Sequence, residues 1–170
     1  VAGQRAAVNL AGAERDKLAR GMFLSEAGRG QVSEEWQIKI HWLESPPANG
    51  TRVRIHVGTG EYFGRIYSFK EEKAFWRLLL EAPLPGAAGD RGILRLYSPQ
   101  TLLGSVLLLE AGCKNKRFSG YLHDLAFGLE TGCPRQVLSG LFASGATFTL
   151  EEAGEATGYF SLGEIEKGLR

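Results

Sequence analysis

The residues of this chain best suited to chemistry are basic, and three of them lie at alternate positions of one predicted strand. Arg52, Arg54 and His56 alternate with valine and isoleucine. Because successive side chains of a strand point to opposite faces, the basic groups share the face turned away from the core. Cationic groups on a rigid surface can contact a phosphate backbone. This strand therefore predicts a local contact with nucleic acid.

Further basic residues lie on neighbouring predicted strands and in the segment beyond them. The complete set of predicted phosphate-contacting residues is Arg52, Arg54, His56, Arg65, Arg91, Arg95, Lys114, Lys116 and Arg117. The formal net charge of +1 excludes a general basic field, so the local arrangement of these groups decides their role. The alternative is a solvated face on which the arginines pair with Glu61, Glu71 or Asp90.

The sequence contains no recognisable catalytic, nucleotide-binding or metal-binding motif. Gly163 and Gly168 are not followed by the lysine and hydroxyl residues of a phosphate-binding loop. The glycines of residues 58–64 lie between predicted strands and not at a strand-to-helix turn. The histidines have no cysteine or carboxylate at metal-ligand spacing, and Cys113 and Cys133 are predicted to be free thiols. We therefore expect a binding module without catalytic activity, metal or cofactor of its own.

The elements that position the basic groups are predicted as short β-strands within residues 31–111. The clearest alternation lies in residues 35–43, where Trp36, Ile38 and Ile40 share one face. Further strands are predicted at residues 52–57, 61–69, 75–81, 93–97 and 106–109. A bulge is expected at Gly64, and prolines are expected to end the fourth strand. About six short strands separated by frequent turns predict a small closed antiparallel barrel, because closure removes exposed strand edges.

The segments on either side of the barrel have different patterns. Residues 1–30 are predicted to be the tail of a preceding β-barrel domain, with strand-like pieces at residues 4–10 and 22–24. Residues 112–170 are predicted to be a basic linker followed by a helical unit. Its first helix begins near Gly120 and its second at Pro134, and short helices follow at residues 149–153 and 161–165.

The ends and the hydropathy of the chain bear on its origin and location. The chain begins at Val1 without an initiator methionine, which suggests an internal fragment of a larger protein. No apolar run approaches the roughly 20 residues that span a bilayer, and no leader pattern opens the chain. A cytoplasmic location without a membrane partner is therefore expected.

Two stretches of the predicted barrel resemble the third domain of bacterial selenocysteine-specific elongation factors, a family of translational GTPases. They are residues 52–66, which begin Arg-Val-Arg-Ile-His-Val-Gly-Thr-Gly-Glu, and residues 89–104, which contain Gly-Asp-Arg-Gly-Ile-Leu-Arg-Leu-Tyr-Ser-Pro. Residues 3–12 and 20–22 are similar to the end of the second barrel domain of translational GTPases. The helical part is similar to the linker and first winged-helix unit of the family. One departure is Val57, which stands where relatives often have a second histidine.

The resemblance implies a mainly β fold, in which a closed antiparallel barrel like the third domain of elongation factor Tu precedes a small helical or partial winged-helix unit. It implies a fragment of the factor that delivers selenocysteinyl-tRNA to the ribosome at recoded UGA codons. The barrel would contribute to tRNA binding and connect to winged helices, outside this chain, that bind an mRNA stem-loop. GTP and magnesium would be cofactors of the parent protein, whose catalytic domain this fragment lacks. The basic set would then bind RNA, which is recognised largely through phosphates and 2′-hydroxyls.

Two alternatives stay open. The chain could be the barrel of another translational GTPase of the elongation factor Tu class, although the helical extension weighs against this. It could also be a barrel unrelated to RNA that binds a small ligand or another protein.

Overall fold

The computed structural model describes residues 7–12, 14–25, 30–69, 72–112 and 120–143, together with residues 163, 164 and 167. The principal elements of these ranges are six strands and two helices. They are β1 (Gln31–Trp42), β2 (Arg52–Val57), β3 (Gly60–Phe69), β4 (Glu72–Gly86), β5 (Arg91–Leu96), β6 (Leu102–Ala111), α1 (Tyr121–Thr131) and α2 (Pro134–Ala143).

The six strands form one closed antiparallel barrel. Their order is β1-β4-β3-β2-β5-β6, and β6 pairs back with β1 to close the ring. Every strand therefore has a neighbour on both sides, and the edges that would attract other chains are removed. The predicted barrel with about six strands is confirmed.

The interior of the barrel is filled by one set of alternating apolar side chains. Trp36, Ile38 and Ile40 of β1 are buried inside, as the alternation of residues 35–43 predicts. Ile55 of β2 and Leu94 of β5 are completely buried in the same cluster. The period of two residues thus decides which residues form the core and which lie outside.

A second apolar core lies between the outer surface of the barrel and the helices. Leu107 and Leu109 of β6 point outward, yet they are buried because they pack with Leu122, Leu125 and other residues of α1. Val106 and Leu108, which alternate with them on β6, are buried in the barrel interior. Both faces of β6 are covered over residues 106–109, which explains why this stretch is uniformly apolar.

Helix α1 is also held to β1 by a charged cluster. The Nζ atom of Lys39 donates to Glu130 Oε2 at 2.7 Å, and Nε2 of His41 lies 2.7 Å from Glu130 Oε1. Partial burial raises the pKa of Glu130, but the hydrogen bonds and charges of Lys39 and His41 outweigh it and leave that pKa below its usual range. The carboxylate form of Glu130 therefore favours the docked helix.

Both helices begin where the sequence predicts. In α1 the apolar residues at helical spacing are buried against the barrel, and Gly132 ends the helix with a φ of 68°. In α2 the first residue is Pro134, which suits a helix start because its missing N–H has no partner there in any case. The short helix predicted at residues 149–153 lies outside the described residues. So does most of the one predicted at residues 161–165, where Gly163 and Glu164 are helical.

Strand β4 continues further than its sequence predicts. The prolines at positions 83 and 85 were expected to end it, but it runs to Gly86. Leu84, Pro85 and Gly86 pair with the start of β1, whereas β3 pairs with β4 only as far as Leu80. A strand end with a single neighbour tolerates proline, since its missing N–H faces the unpaired side.

The bulge predicted at Gly64 is absent from the structure. Gly64 pairs regularly with Val53 on β2 and with Leu80 on β4, and the register shift of this strand pair lies between Ser68 and Phe69. A Cβ atom at Gly64 would collide with the carbonyl oxygen of Leu79. The glycine therefore permits close packing of neighbouring backbones.

The segment before the barrel contains no strand within residues 7–12 and 14–25, so the strand expected at residues 22–24 is wrong. A short 3-10 helix occupies Arg15–Lys17, and the next residues dock on the turn between β2 and β3. Arg20 Nε donates to the Thr59 carbonyl at 2.8 Å, and the Tyr62 hydroxyl donates to the Gly21 carbonyl at 3.2 Å. These side-chain contacts replace the expected sheet pairing.

Barrel closure predicts a specific sensitivity at Gly104. A Cβ atom there would collide with the carbonyl oxygen of His41 on β1, so Gly104→Ala should push β6 away from β1. We expect a loss of about 1–3 kcal/mol in the free energy of unfolding, measured by urea titration of the fluorescence of Trp36 and Trp76, which are buried. The matched variant Gly120→Ala, where a Cβ atom would meet open space, should change it by less than about 0.5 kcal/mol. Equal effects of the two changes would contradict this role for Gly104.

The charged cluster on α1 predicts a dependence of stability on acid pH. Because the folded-state pKa of Glu130 is lowered from 4.5, its stabilising effect is present above that value and is lost as pH falls through the folded-state pKa. Glu130→Gln should cost on the order of 1 kcal/mol at neutral pH, and this difference from wild type should shrink as pH falls below 4.5 and through the folded-state pKa. Urea unfolding at several pH values measures it, with Glu44→Gln as the control for lost charge. A difference that stays constant with pH would refute the expectation.

Candidate nucleic-acid interface

The barrel brings four predicted arginines together on the outer surface of β2, β3 and β5. Strand β2 lies between the other two, so that Arg52 is directly opposite Arg65 of β3 and Arg54 is directly opposite Arg95 of β5. We call these four residues the arginine face. Helix α1 packs elsewhere, against residues of β4 and β6, and leaves this face uncovered by α1.

Two aromatic side chains lie among the arginines. The guanidinium of Arg52 lies 3.9 Å from the ring centre of Tyr97, and that of Arg54 lies 5.0 Å from the ring centre of Phe63. Such contacts hold a guanidinium flat against a ring and limit its conformations. Phe63 and Tyr97 were not among the predicted contacts, although Phe63 lies two residues before Arg65 and so shares its side of β3.

Arg52 is tied to a carboxylate of the protein. Its Nε and Nη2 atoms donate to the two oxygens of Glu81 at 2.8 and 2.9 Å. The hydrogen bond from Arg52 lowers the pKa of Glu81, partial desolvation opposes this, and the charges of Arg52 and Arg65 lower it further. The same hydrogen bond raises the pKa of Arg52. Glu81 therefore stays ionised between two arginines.

Arg54 is also paired, whereas Arg95 is not. Arg54 Nη1 donates to Glu61 Oε1 at 2.6 Å, and His56 Nε2 lies 3.7 Å from the same oxygen. Arg65 donates to the carbonyl of Gly50 at 2.8 Å. Arg95 makes no hydrogen bond or ion pair with any residue that the structure describes, and its Nε atom is buried without an acceptor.

The other predicted basic residues do not join this face in the described structure. Arg91 begins β5, roughly 13 Å along the strand from Arg95, and lines a small cleft with His41, Ser105 and Glu130 near α1. The remaining three, Lys114, Lys116 and Arg117, lie outside the described residues.

Sequence reasoning missed one arginine near the face. Arg77 of β4 is paired with Tyr67 of β3 in the register, and its Nε donates to Glu35 Oε1 at 2.8 Å. Arg77 alternates with Trp76 and Leu78, which are buried in the barrel interior, and so lies on the outward side of β4. The sequence alone does not show that β4 pairs with β3, and this pairing is what brings Arg77 close to the arginine face.

The alternative of internally paired arginines is correct for part of the set. Glu61 pairs with Arg54 as expected, but Arg52 pairs with Glu81, which was not among the predicted partners. Asp90 instead accepts a hydrogen bond from the backbone N–H of Ala87 at 2.8 Å, and Glu71 lies outside the described residues. The carboxylates therefore neutralise two of the four arginines directly.

Within the described ranges, features of two other kinds of site are absent. These ranges contain no cluster of three or more histidine, cysteine or acidic residues arranged to hold a metal ion. None of their helices has the length and apolar character needed to cross a membrane. Cys133 is a free thiol there, and Cys113 lies outside the described residues.

Comparison with known proteins identifies the relatives of this barrel. The chain is 33% identical over 142 residues to the selenocysteine-specific elongation factor of Desulfomicrobium baculatum, an alignment that covers 77% of this chain and 22% of that protein. The chain is homologous to part of a selenocysteine-specific elongation factor. The resemblance predicted from residues 52–66 and 89–104 is thereby confirmed. No protein-family model matches the chain.

A solved structure shares the fold. The crystal structure of a bacterial selenocysteine-specific elongation factor, EF-Sec, matches 91% of this chain with a TM-score of 0.63 and 16% identity. The match covers 25% of that chain, so this chain spans about a quarter of the length of both relatives. The predicted fold class, a closed antiparallel barrel followed by helices, is confirmed. The described ranges form the barrel and two helices and contain no GTPase domain.

The pKa of Glu81 depends on its hydrogen bond with Arg52 of the arginine face. Because the hydrogen bond from Arg52 is the main cause of its lowered pKa, Arg52→Gln should shift the Glu81 titration midpoint upward, towards the usual value of 4.5. Carbon-detected NMR of the side-chain carboxyl measures this midpoint. Arg91→Gln removes the same charge at the start of β5 and should leave the midpoint nearly unchanged. A midpoint that does not respond to Arg52→Gln would show that the hydrogen bond is absent in solution.

Proposed function

We propose that this chain is the tRNA-binding barrel region of a selenocysteine-specific elongation factor, the protein that delivers selenocysteinyl-tRNA to the ribosome at recoded UGA codons. The observation that carries the proposal is the arginine face, which lies on a barrel homologous to part of that factor. Four guanidinium groups on a rigid sheet suit the phosphates of folded RNA, which is recognised mainly through its backbone.

The proposal divides the chain into three parts. Residues 1–30 are the tail of a preceding barrel domain, residues 31–111 form the tRNA-binding barrel, and residues 112–170 form a basic linker and part of a winged-helix unit. The docking of Arg20 and Gly21 on the β2–β3 turn supports a close association of the first part with the barrel. The burial of α1 against β6 supports a firm attachment of the third.

The proposed partners and cofactors follow from the relatives. In the complete factor, GTP and magnesium belong to a catalytic domain, and the barrel itself acts without a cofactor. The barrel holds the tRNA, and the helical part leads towards further winged helices that bind an mRNA stem-loop. With these partners, the proposed location of the protein is the cytoplasm. All the basic residues predicted from sequence are proposed as RNA contacts, and Arg54, Arg65 and Arg95 are central among them.

The first test is binding of the chain to a selenocysteine tRNA transcript, measured by fluorescence anisotropy over a range of salt concentrations. We expect the association constant to fall with salt, with a log–log slope near −0.9 for each duplex phosphate neutralised. Arg65→Gln should weaken binding about threefold to tenfold and reduce the slope by about 1. The charge-matched control Arg135→Gln, on the exposed surface of α2, should have little effect.

Two results would favour the alternatives. Absence of salt-sensitive binding to any tRNA would favour a barrel for a small ligand or another protein. Equal affinity for an ordinary elongator tRNA would favour another factor of the elongation factor Tu class.

A further inference from the structure

The arginine face contains two pairs of like charges that lie directly opposite each other on neighbouring strands. The pairs are Arg52 with Arg65 and Arg54 with Arg95. Residues opposite each other in an antiparallel sheet have Cβ atoms about 4.5–5.5 Å apart, and like charges in this position repel. An anion close to both members of a pair would therefore stabilise it.

The first pair finds its anion within the protein. Glu81 binds Arg52 with two hydrogen bonds of 2.8 and 2.9 Å, and the charge of Arg65 contributes to the lowered pKa of Glu81. A bidentate pair of this kind satisfies the planar guanidinium geometry. Arg52 and Arg65 thus share one internal counter-ion.

The second pair lacks an anion on one side. Glu61 comes from β3 and binds Arg54 on the side away from β5. When the side-chain amide of Gln100 is oriented with its oxygen towards Arg54, that oxygen also accepts from both Nη atoms of Arg54 at 3.3 Å. Both acceptors serve Arg54. Within the described part of the chain, no acceptor serves Arg95.

The Nε atoms of Arg54 and Arg95 are both buried without a hydrogen-bond partner in the described structure. A buried donor without an acceptor destabilises the protein, and such groups are rare unless a water, an ion or a ligand satisfies them. Three buried side-chain donors lack a partner in the described structure, and two of them belong to the one arginine pair without a shared carboxylate; the third is Trp36 Nε1 in the barrel core. The unpaired charge of Arg95 and these two unsatisfied donors therefore lie at the same strand pair, β2 and β5.

We propose that Arg95 and Arg54 together bind a single phosphate group, with Arg95 as the principal ligand. A phosphate has several oxygens and can accept hydrogen bonds from two neighbouring guanidinium groups at once. The carboxylate of Glu61 lies on the far side of Arg54 and cannot serve Arg95 in this way. The identification of this phosphate as part of an RNA backbone rests on the proposed function. The proposed site itself is defined by the phosphate group, whichever molecule carries it.

The proposal separates two arginines that carry the same charge and lie on the same face. Arg52 is neutralised by Glu81 of β4, which reaches it across β3, and is stacked on Tyr97, so its charge is already balanced within the protein. Arg95 is bound by no described residue, so its charge is available to a ligand. Removal of either charge lowers the net charge equally, but only removal of Arg95 should abolish the phosphate site.

The test follows the Nε–H signal of Arg95 by ¹⁵N NMR while inorganic pyrophosphate is added to the full chain at constant ionic strength. We expect the Arg95 and Arg54 signals to shift in a saturable manner, and sodium chloride in place of pyrophosphate to leave them unchanged. A second arm measures affinity for a short RNA duplex. Arg95→Gln should weaken RNA binding about tenfold, whereas the charge-matched Arg135→Gln, on the exposed surface of α2, should weaken it less than threefold. Arg95→Lys keeps the charge but loses the planar fork, and should fall between wild type and Arg95→Gln.

The outcomes separate the two proposals. If wild-type chain binds RNA but Arg95→Gln behaves like Arg135→Gln, the phosphate site is refuted and the proposed function stands. If pyrophosphate shifts Arg95 but no RNA binds, the phosphate site is supported and the proposed function fails. Absence of a saturable pyrophosphate shift at Arg95 overturns the site. Thermal unfolding and the amide spectrum of each variant verify that Arg95→Gln is folded, and Arg95→Lys tests the site if it is not.

Discussion

The pairing of β6 with β1 is the interaction on which the rest of the structure depends. It closes the ring, and Gly104 permits it because a larger residue would collide with the backbone at His41. Once the ring is closed, the register of each strand is set by both neighbours, and a slip of one residue would exchange its inner and outer side chains. The positions of all outward groups, including the arginines, follow from that closure.

The outer surface of the barrel is divided into two chemically different parts. On one side, outward leucines such as Leu107 and Leu109 are covered by α1 and form a second core. On the other side, β2 carries arginines between β3 and β5, with aromatic rings beneath them and carboxylates at their edges. The helix-covered side attaches the neighbouring segment, and the arginine face is not covered by α1. A net charge of +1 conceals this separation, because acidic residues elsewhere balance the arginines.

Much of the barrel could be predicted because local physical rules determine it. Alternation identifies Trp36, Ile38 and Ile40 as inward, and helical spacing places Leu122 and Leu125 on the buried side of α1. Predictions failed where a neighbouring strand overrode a local preference. Pro85 lies within β4 because only β1 pairs with it there, and Gly64 is regular because it faces the backbone of Leu79. Residues 22–24 look like a strand, yet within the described segment they find no strand partner.

The sequence by itself determined the strand and helix types, the inward and outward sides, and the relationship to selenocysteine-specific elongation factors. It also named Arg52, Arg54, Arg65 and Arg95, but it could not distinguish them. Only the tertiary structure decided that Arg52 meets Glu81 while Arg95 lies opposite Arg54 without an acceptor among the described residues. The reason is that β2 and β5 are distant in the chain. Their pairing depends on closure of the whole barrel, which no local pattern of residues encodes.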